Sequence, residues 1–308
     1  MQENKKAHPL DGKRIGVFGK GGAGKSTITY LLAQVLQKSG YIVCVLDADS
    51  TNLGLHRVFE IAQQPKPLME YFGGTIFTGG FVTCPVDDPT PLDKAEMNLK
   101  TLDQDFYACS PEGILFFVAG KIGDQGPGAG CDGPVAKIAR DFRIVVEGHS
   151  PVTLIDFKAG LEDITRGVIT SVDLAIFVID PTLASVEMAA NIKDIVKRVK
   201  AHHLPATAHL DKPELIELAN RFFLDAKILG VWFILNKIHD KEEEDYLKQS
   251  LKEKGIEPIS TIGQFPSILH AWLRGTPIEA ENALRDIQKI VIELESAANP
   301  AGNQAEKK

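Results

Sequence analysis

Along this chain, short unbroken runs of apolar residues alternate with longer stretches in which apolar positions recur every three or four residues. The unbroken runs, at residues 14–18, 41–46, 114–118, 152–155, 174–179, 231–235 and 258–262, predict strands. A strand covered on both faces needs no alternation with polar residues, so such runs point to a parallel sheet. Helical spacing at residues 26–38, 185–200 and 242–254 places helices between strands. The alternation predicts an α/β fold: a doubly wound, mostly parallel sheet with helices on both faces. Residues 278–295 are amphipathic too, but rich in acidic residues. That composition fits a helix packed on the domain, since a membrane-targeting helix calls for Lys and Arg.

Two stretches break the rhythm. Residues 63–111, rich in Pro, Gly and Asp, read as a long insertion over the sheet with a short helix at 68–72. Residues 202–227 read as a second insertion with a helix at 213–223. The expected organisation is a polar segment at 1–12, one domain at 13–298, and a disordered tail at 299–308. Lys and Arg number 34 against 41 Asp and Glu, a formal charge of −7. That balance argues against nonspecific attraction to nucleic acid, and no nucleic-acid partner is expected. No apolar run is long enough to span a membrane, and the N-terminus lacks the apolar stretch of a signal peptide. Four cysteines in a chain this long make no disulfide framework, so the cytoplasm is the expected compartment.

The chemistry concentrates after the first strand, in Gly19-Lys20-Gly21-Gly22-Ala23-Gly24-Lys25-Ser26. With a strand before it and a helix after it, this is a phosphate-binding P-loop. Glycines let backbone N–H groups close on a polyphosphate, and the helix aims the positive end of its dipole at the same place. Lys25 is expected to meet the β- and γ-phosphates and Ser26 to ligate Mg²⁺. The Thr27 hydroxyl and amide come next, for the α-phosphate.

After the second strand stand Asp47 and Asp49, at the strand end where open α/β sheets bind ligands. Asp47 is read as a Mg²⁺ holder through water or a group that steadies the cradle, and Asp49 as the group that orients the attacking water; an Asx turn is the competing reading for such a pair. The run at 152–155 ends in Asp156, a second water-mediated Mg²⁺ holder, with Gly160 as a pivot. Asn236-Lys237, expected just after a strand, is a candidate base-recognition pair, with an ordinary loop as its alternative. A guanine reader would add an aspartate two places later, where His239 stands, so ATP is favoured over GTP.

Together these residues resemble the deviant Walker A class of P-loop ATPases. That class holds the septum-site and plasmid-partition ATPases, the nitrogenase iron protein and metallocentre-maturation ATPases. The likeness is closest to the family that serves carbon monoxide dehydrogenase, CooC. It runs from about Lys13 to Glu295, on the P-loop, Asp47-Ala48-Asp49 with Asn52-Leu53, the segment Asp156 to Gly160, Asp180-Pro181 and Asn236-Lys237. The resemblance implies a homodimer with nucleotide sandwiched at the interface, in which Lys20 reaches the partner's nucleotide as an arginine finger does. It also implies a client metalloenzyme. In the maturation family a Gly-Cys-x-Cys-Pro turn holds a thiophilic metal between subunits, whereas here Cys131 is followed by Asp132 and Gly133. Cys131 is therefore a candidate ligand at a dimer interface, for Zn²⁺, Ni²⁺ or an iron–sulfur cluster, or a small half-buried residue. Positioning or partition work and iron-protein-like electron donation are the alternative roles.

Overall fold

The computed structural model describes residues 8–121 and 131–299. Its strands are β1 (Arg14–Gly19), β2 (Val43–Ala48), β3 (Glu96–Asn98), β4 (Ala108–Cys109), β5 (Leu115–Val118), β6 (Arg143–Val145), β7 (Val152–Phe157), β8 (Leu174–Ile179), β9 (Gly230–Ile238) and β10 (Ser260–Gly263). Its helices are α1 (Lys25–Lys38), α2 (Leu55–Val58), α3 (Leu68–Tyr71), α4 (Gly133–Asp141), α5 (Glu162–Thr165), α6 (Leu183–Lys200), α7 (Pro213–Leu224), α8 (Lys241–Glu253), α9 (Pro266–Arg274) and α10 (Glu281–Ala298). Eight strands form one sheet in the order β10-β9-β8-β1-β7-β2-β5-β4. Every pairing in it is parallel except β4 with β5. The expected doubly wound, mostly parallel sheet is the one found.

Successive side chains of a strand point to opposite faces, so each strand feeds two cores. On β2, Val43 and Val45 join one cluster with Ile28, Leu31, Leu32 and Leu36 of α1 and Ile287, Ile290 and Leu294 of α10. Cys44 and Leu46 join the other, with Ile138 of α4, Ile192 of α6 and Leu251 of α8. A fully buried Leu or Phe stabilises the fold by about 2 kcal/mol. Both faces carry many, so neither helical layer is dispensable. α10 lies along α1, its buried Ala283, Ile287, Ile290, Val291 and Leu294 forming one helical stripe.

Several elements depart from the sequence pattern. The second strand starts two residues later than expected and extends to Ala48, carrying Asp47 into the sheet. β9 extends to Ile238, so Asn236 and Lys237 lie on the strand and not after it. Both extensions follow the ladder: Asp47 pairs with Asp156 of β7, and Ile238 with Gly263 of β10. The first insertion lies only partly over the sheet. Its end, β4, adds to the sheet edge, and β3 pairs with β6 in a small sheet of its own. Within the segment expected to be polar, Leu10 is fully buried and His8 packs on Tyr41 at 4.7 Å. Residues 1–7, 128–130 and all of the tail but Asn299 lie outside the described residues.

Candidate nucleotide-binding site

The loop between β1 and α1 sits at the middle of the sheet, on its C-terminal edge, where two neighbouring strands leave room for a ligand. Gly24, the residue before α1, has φ 99°, and a Cβ there would overlap the Asn236 amide. Only glycine meets both demands. α1 has no side-chain N-cap and no acidic residue in its first turn. Its leading N–H groups and dipole are therefore left for an anion.

Behind the loop two carboxylates lie side by side. Asp156 is fully buried; its Oδ2 accepts from Ser26 Oγ at 2.5 Å, while Oδ1 has no hydrogen-bond partner. An unpaired buried acceptor costs about 1–3 kcal/mol, and hydrated Mg²⁺ beside the Ser26 hydroxyl would remove that cost. The donor set is all oxygen, as a hard cation requires. Burial pushes Asp156 up to about 6, against the pull of Lys25 and Ser26. Asp47 pairs with Lys121 at 2.7 Å, and its Oδ1 accepts from the Asp49 amide at 3.2 Å. Burial pushes Asp47 up to about 7 although Lys121 pulls the other way.

Lys121 was not singled out by the sequence. Its Nζ donates to Asp47 Oδ2 and to the carbonyls of Asp49 and Asn52, clamping the loop after β2. Asp49 itself makes the turn that competed with its functional reading: Oδ1 accepts from the Thr51 amide and hydroxyl at 3.0 and 2.7 Å. It still lines the nucleotide-sized cavity. Asn52, known from the sequence only as part of a motif, donates to Ser26 Oγ at 2.9 Å.

That cavity, of about 450 Å³, is lined by Gly22, Gly24, Lys25, Ser26, Thr27, Asp49, Asn236 and Lys237. It also draws on Phe265, just before α9, and on Ile268 and Trp272 of α9, none of which carries a local signature in the sequence. Trp272 Nε1 donates to Thr27 Oγ1 at 2.9 Å, locking α9 onto the first turn of α1. Asn236 Nδ2 donates to the Ala23 carbonyl at 2.8 Å and Lys237 Nζ to that of Gly22 at 2.7 Å. Both side chains thus brace the glycine-rich loop. A larger hollow of about 810 Å³ lies between α7 and the Pro91–Glu96 stretch, away from this chemistry.

Lys20 reaches sideways, pairing with Asp180 at 3.0 Å at the end of β8. Burial acts to raise Asp180, but hydrogen bonds from Ser185, Thr182 and Lys20 outweigh it and hold the carboxyl below its usual range. Cys131 is half-buried, and its Sγ accepts from the Gly133 amide at 3.4 Å. On Gly133, where the maturation turn has its second cysteine, a Cβ would come within 2.6 Å of Cys84 Cβ. Cys84, from the first insertion, fills that space. Among the described residues no group of three or more His, Cys, Asp or Glu is placed to hold a metal.

A glycine-rich strand-to-helix loop on a parallel sheet, backed by paired carboxylates, defines a P-loop nucleotide-binding protein. Residues 17–278 match the CobQ/CobB/MinD/ParA nucleotide binding domain, and the chain belongs to that family of P-loop ATPases. It is 28% identical over 281 residues to an uncharacterised ATP-binding protein of Methanocaldococcus jannaschii, covering 90% of this chain and 99% of that one. It is 30% identical over 196 residues to the carbon monoxide dehydrogenase accessory protein CooC of Rhodospirillum rubrum, covering 60% and 69%. In fold it resembles the cell division ATPase MinD of Pyrococcus furiosus, with a TM-score of 0.55, 17% identity and coverage of 92% and 99%. No described helix is long and apolar enough to cross a membrane.

Proposed function

We propose that the chain is a Mg²⁺-dependent, homodimeric ATP switch that serves as an accessory factor in metallocentre assembly in the cytoplasm. The observation that carries the Mg²⁺ reading is the unpaired, buried Asp156 Oδ1 beside the Ser26 hydroxyl. Ser26 would hold the ion directly and Asp156 through water, with Asp47 steadying the second carboxylate position. The ion would neutralise charge on the β- and γ-phosphates. The residues 19–27 wrap the phosphates, Lys25 neutralises them, and Asp49 turns from Thr51 to orient the attacking water. Lys20 leaves Asp180 and meets the nucleotide of the second subunit. Asn236 and Lys237 approach the base from β9, while Phe265 and Trp272 offer it apolar faces.

The accessory role draws on the likeness to CooC and on the position of Cys131, one residue from a carboxylate that touches both loops beside the nucleotide. Within that role, a thiophilic ion at Cys131 would need thiols from Cys84 or from a second copy. The packing of α10 against α1 gives no support to a positioning role that works through a detached C-terminal helix.

The test has two stages. ATP turnover should require Mg²⁺, vanish with nucleotide binding in Lys25→Ala, and vanish without loss of binding in Asp49→Ala. Nickel loading of an apo carbon monoxide dehydrogenase should then proceed faster with wild-type protein and ATP than with Asp49→Ala. Full turnover in EDTA would remove the Mg²⁺ reading, and equal loading rates would remove the accessory role.

A further inference from the structure

Asp132 stands at the N-cap position of α4 yet caps nothing: its side chain makes no hydrogen bond to the helix. A carboxylate at that position ordinarily accepts from the first-turn N–H groups, a bond worth about 1 kcal/mol. Here each oxygen serves a different loop. Oδ1 accepts from Ser50 Oγ at 2.5 Å, in the loop that follows β2 and carries Asp49. Oδ2 pairs with Lys158 Nζ, two residues beyond Asp156 in the loop that follows β7. Ser50 is buried, and Asp132 and Lys158 are half-buried, so these bonds are poorly screened by solvent. The two loops have separate anchors elsewhere: Lys121 holds the first, and the Gly160 amide donates to the Gly19 carbonyl to hold the second. At Asp132, outside the cradle, one side chain holds both loops.

The same residue begins a rigid lever. The α4 residues from Gly133 to Arg140 are buried, and Lys137 Nζ donates to Thr83 Oγ1 and to Asp88 of the first insertion. Cys131 precedes Asp132 directly. A shift of either loop must therefore be absorbed at Asp132 or passed to the Cys131 turn.

We propose that Asp132 is a positioning residue for ATP turnover, locking the loop after β2 to the loop after β7 and tying both to the Cys131 turn. The proposal rests on the reading that these two loops carry hydrolysis. Asp132→Asn keeps an acceptor for Ser50 but loses the ion pair with Lys158. It should lower kcat about tenfold and leave KM for ATP within about twofold, since the phosphate loop is untouched. Lys158→Met should do the same, and the double variant should be no worse than either single one. A merely structural residue would change melting and binding, not this split. In a Cys109→Ser background, the alkylation rate of Cys131, read by peptide mass mapping, should change on addition of a slowly hydrolysed ATP analogue. Asp132→Asn should abolish that response.

Additive losses from the two variants, or a Cys131 response that survives in Asp132→Asn, would overturn the coupling. Asp49→Ala serves as the control for the underlying reading. If Asp49→Ala keeps full turnover, the assignment of the loop after β2 fails, whatever the Asp132–Lys158 cycle shows.

Discussion

Lys121 satisfies three oxygens with one ammonium group, and none of the three lies within 65 residues of it in sequence. That separation explains why it was invisible while the phosphate loop was not. In Gly19 to Ser26 the chemistry is written in adjacent residues, because one turn of backbone does the work. Lys121, Asp132 and Trp272 act on partners brought close only by the sheet, and a lone lysine or tryptophan carries no local signal. The loop-bracing bonds of Asn236 and Lys237 were hidden in the same way. Removing Lys121 leaves Asp47 buried with its charge unopposed. Lys121→Met should cost about 3 kcal/mol of stability near neutral or higher pH. The sign with pH follows from Asp47, whose folded-state value of about 7 lies above the ordinary carboxylate range. A raised carboxyl favours the fold while protonated, and that contribution is lost as pH rises through the folded value. The variant's deficit should therefore be larger at about pH 8 than at about pH 5.5 in urea unfolding. Addition of Asp47→Asn should recover much of it. A deficit that does not change with pH would show that Lys121 acts only through the two carbonyls.

Among the elements, those defined by continuous apolar runs were legible, and their ends were not. Hydropathy stops where the polar site residues begin, but the hydrogen-bond ladder continues, as at Asp47–Ala48 and Asn236–Ile238. The short elements β3, β6 and α5 were missed because each is only three or four residues long and owes its order to neighbours. α9 hid behind Phe265-Pro266, which reads as a chain break until Pro is placed in the first turn of a helix. α7 is the opposite case. Its pattern announced a helix, yet none of its residues is fully buried and hollows of about 810 and 290 Å³ lie against it. It meets α4 where Phe222 stacks under Arg140 at 4.2 Å, a contact worth about 1 kcal/mol. Low local burial means low local stability. Amides of α7 should exchange with deuterium well before those of α1, whose residues are buried from Thr27 to Leu36. Protection of α7 equal to that of α1 would mean that some contact outside this chain covers it.

At the scale of the molecule, the arrangement that closes the cavity beside the glycine-rich loop turns one lysine of that loop away from it. Lys25, Ser26 and Thr27 point along α1 into the cavity, and α9 seals one side through Trp272. Lys20 does not line it; it is turned to Asp180, whose remaining hydrogen bonds come from Thr182 and Ser185. Asp180 thus keeps two other donors when Lys20 leaves, which lowers the cost of release. If Lys20 then completes the site of a second copy, its ion pair with Asp180 and its contact with the partner's phosphates compete. A slowly hydrolysed ATP analogue should drive dimerisation of the wild-type chain, read as molar mass by light scattering. Lys20→Ala should bind the analogue but need roughly a hundredfold more protein to dimerise, since a symmetric dimer loses two charge-assisted contacts of about 1.4 kcal/mol each. Asp180→Asn, which weakens the hold on Lys20, should dimerise at lower protein concentration than wild type. The opposite order of the two variants, or a molar mass of one chain at every concentration with analogue present, would leave Lys20 as an intramolecular strut of the P-loop.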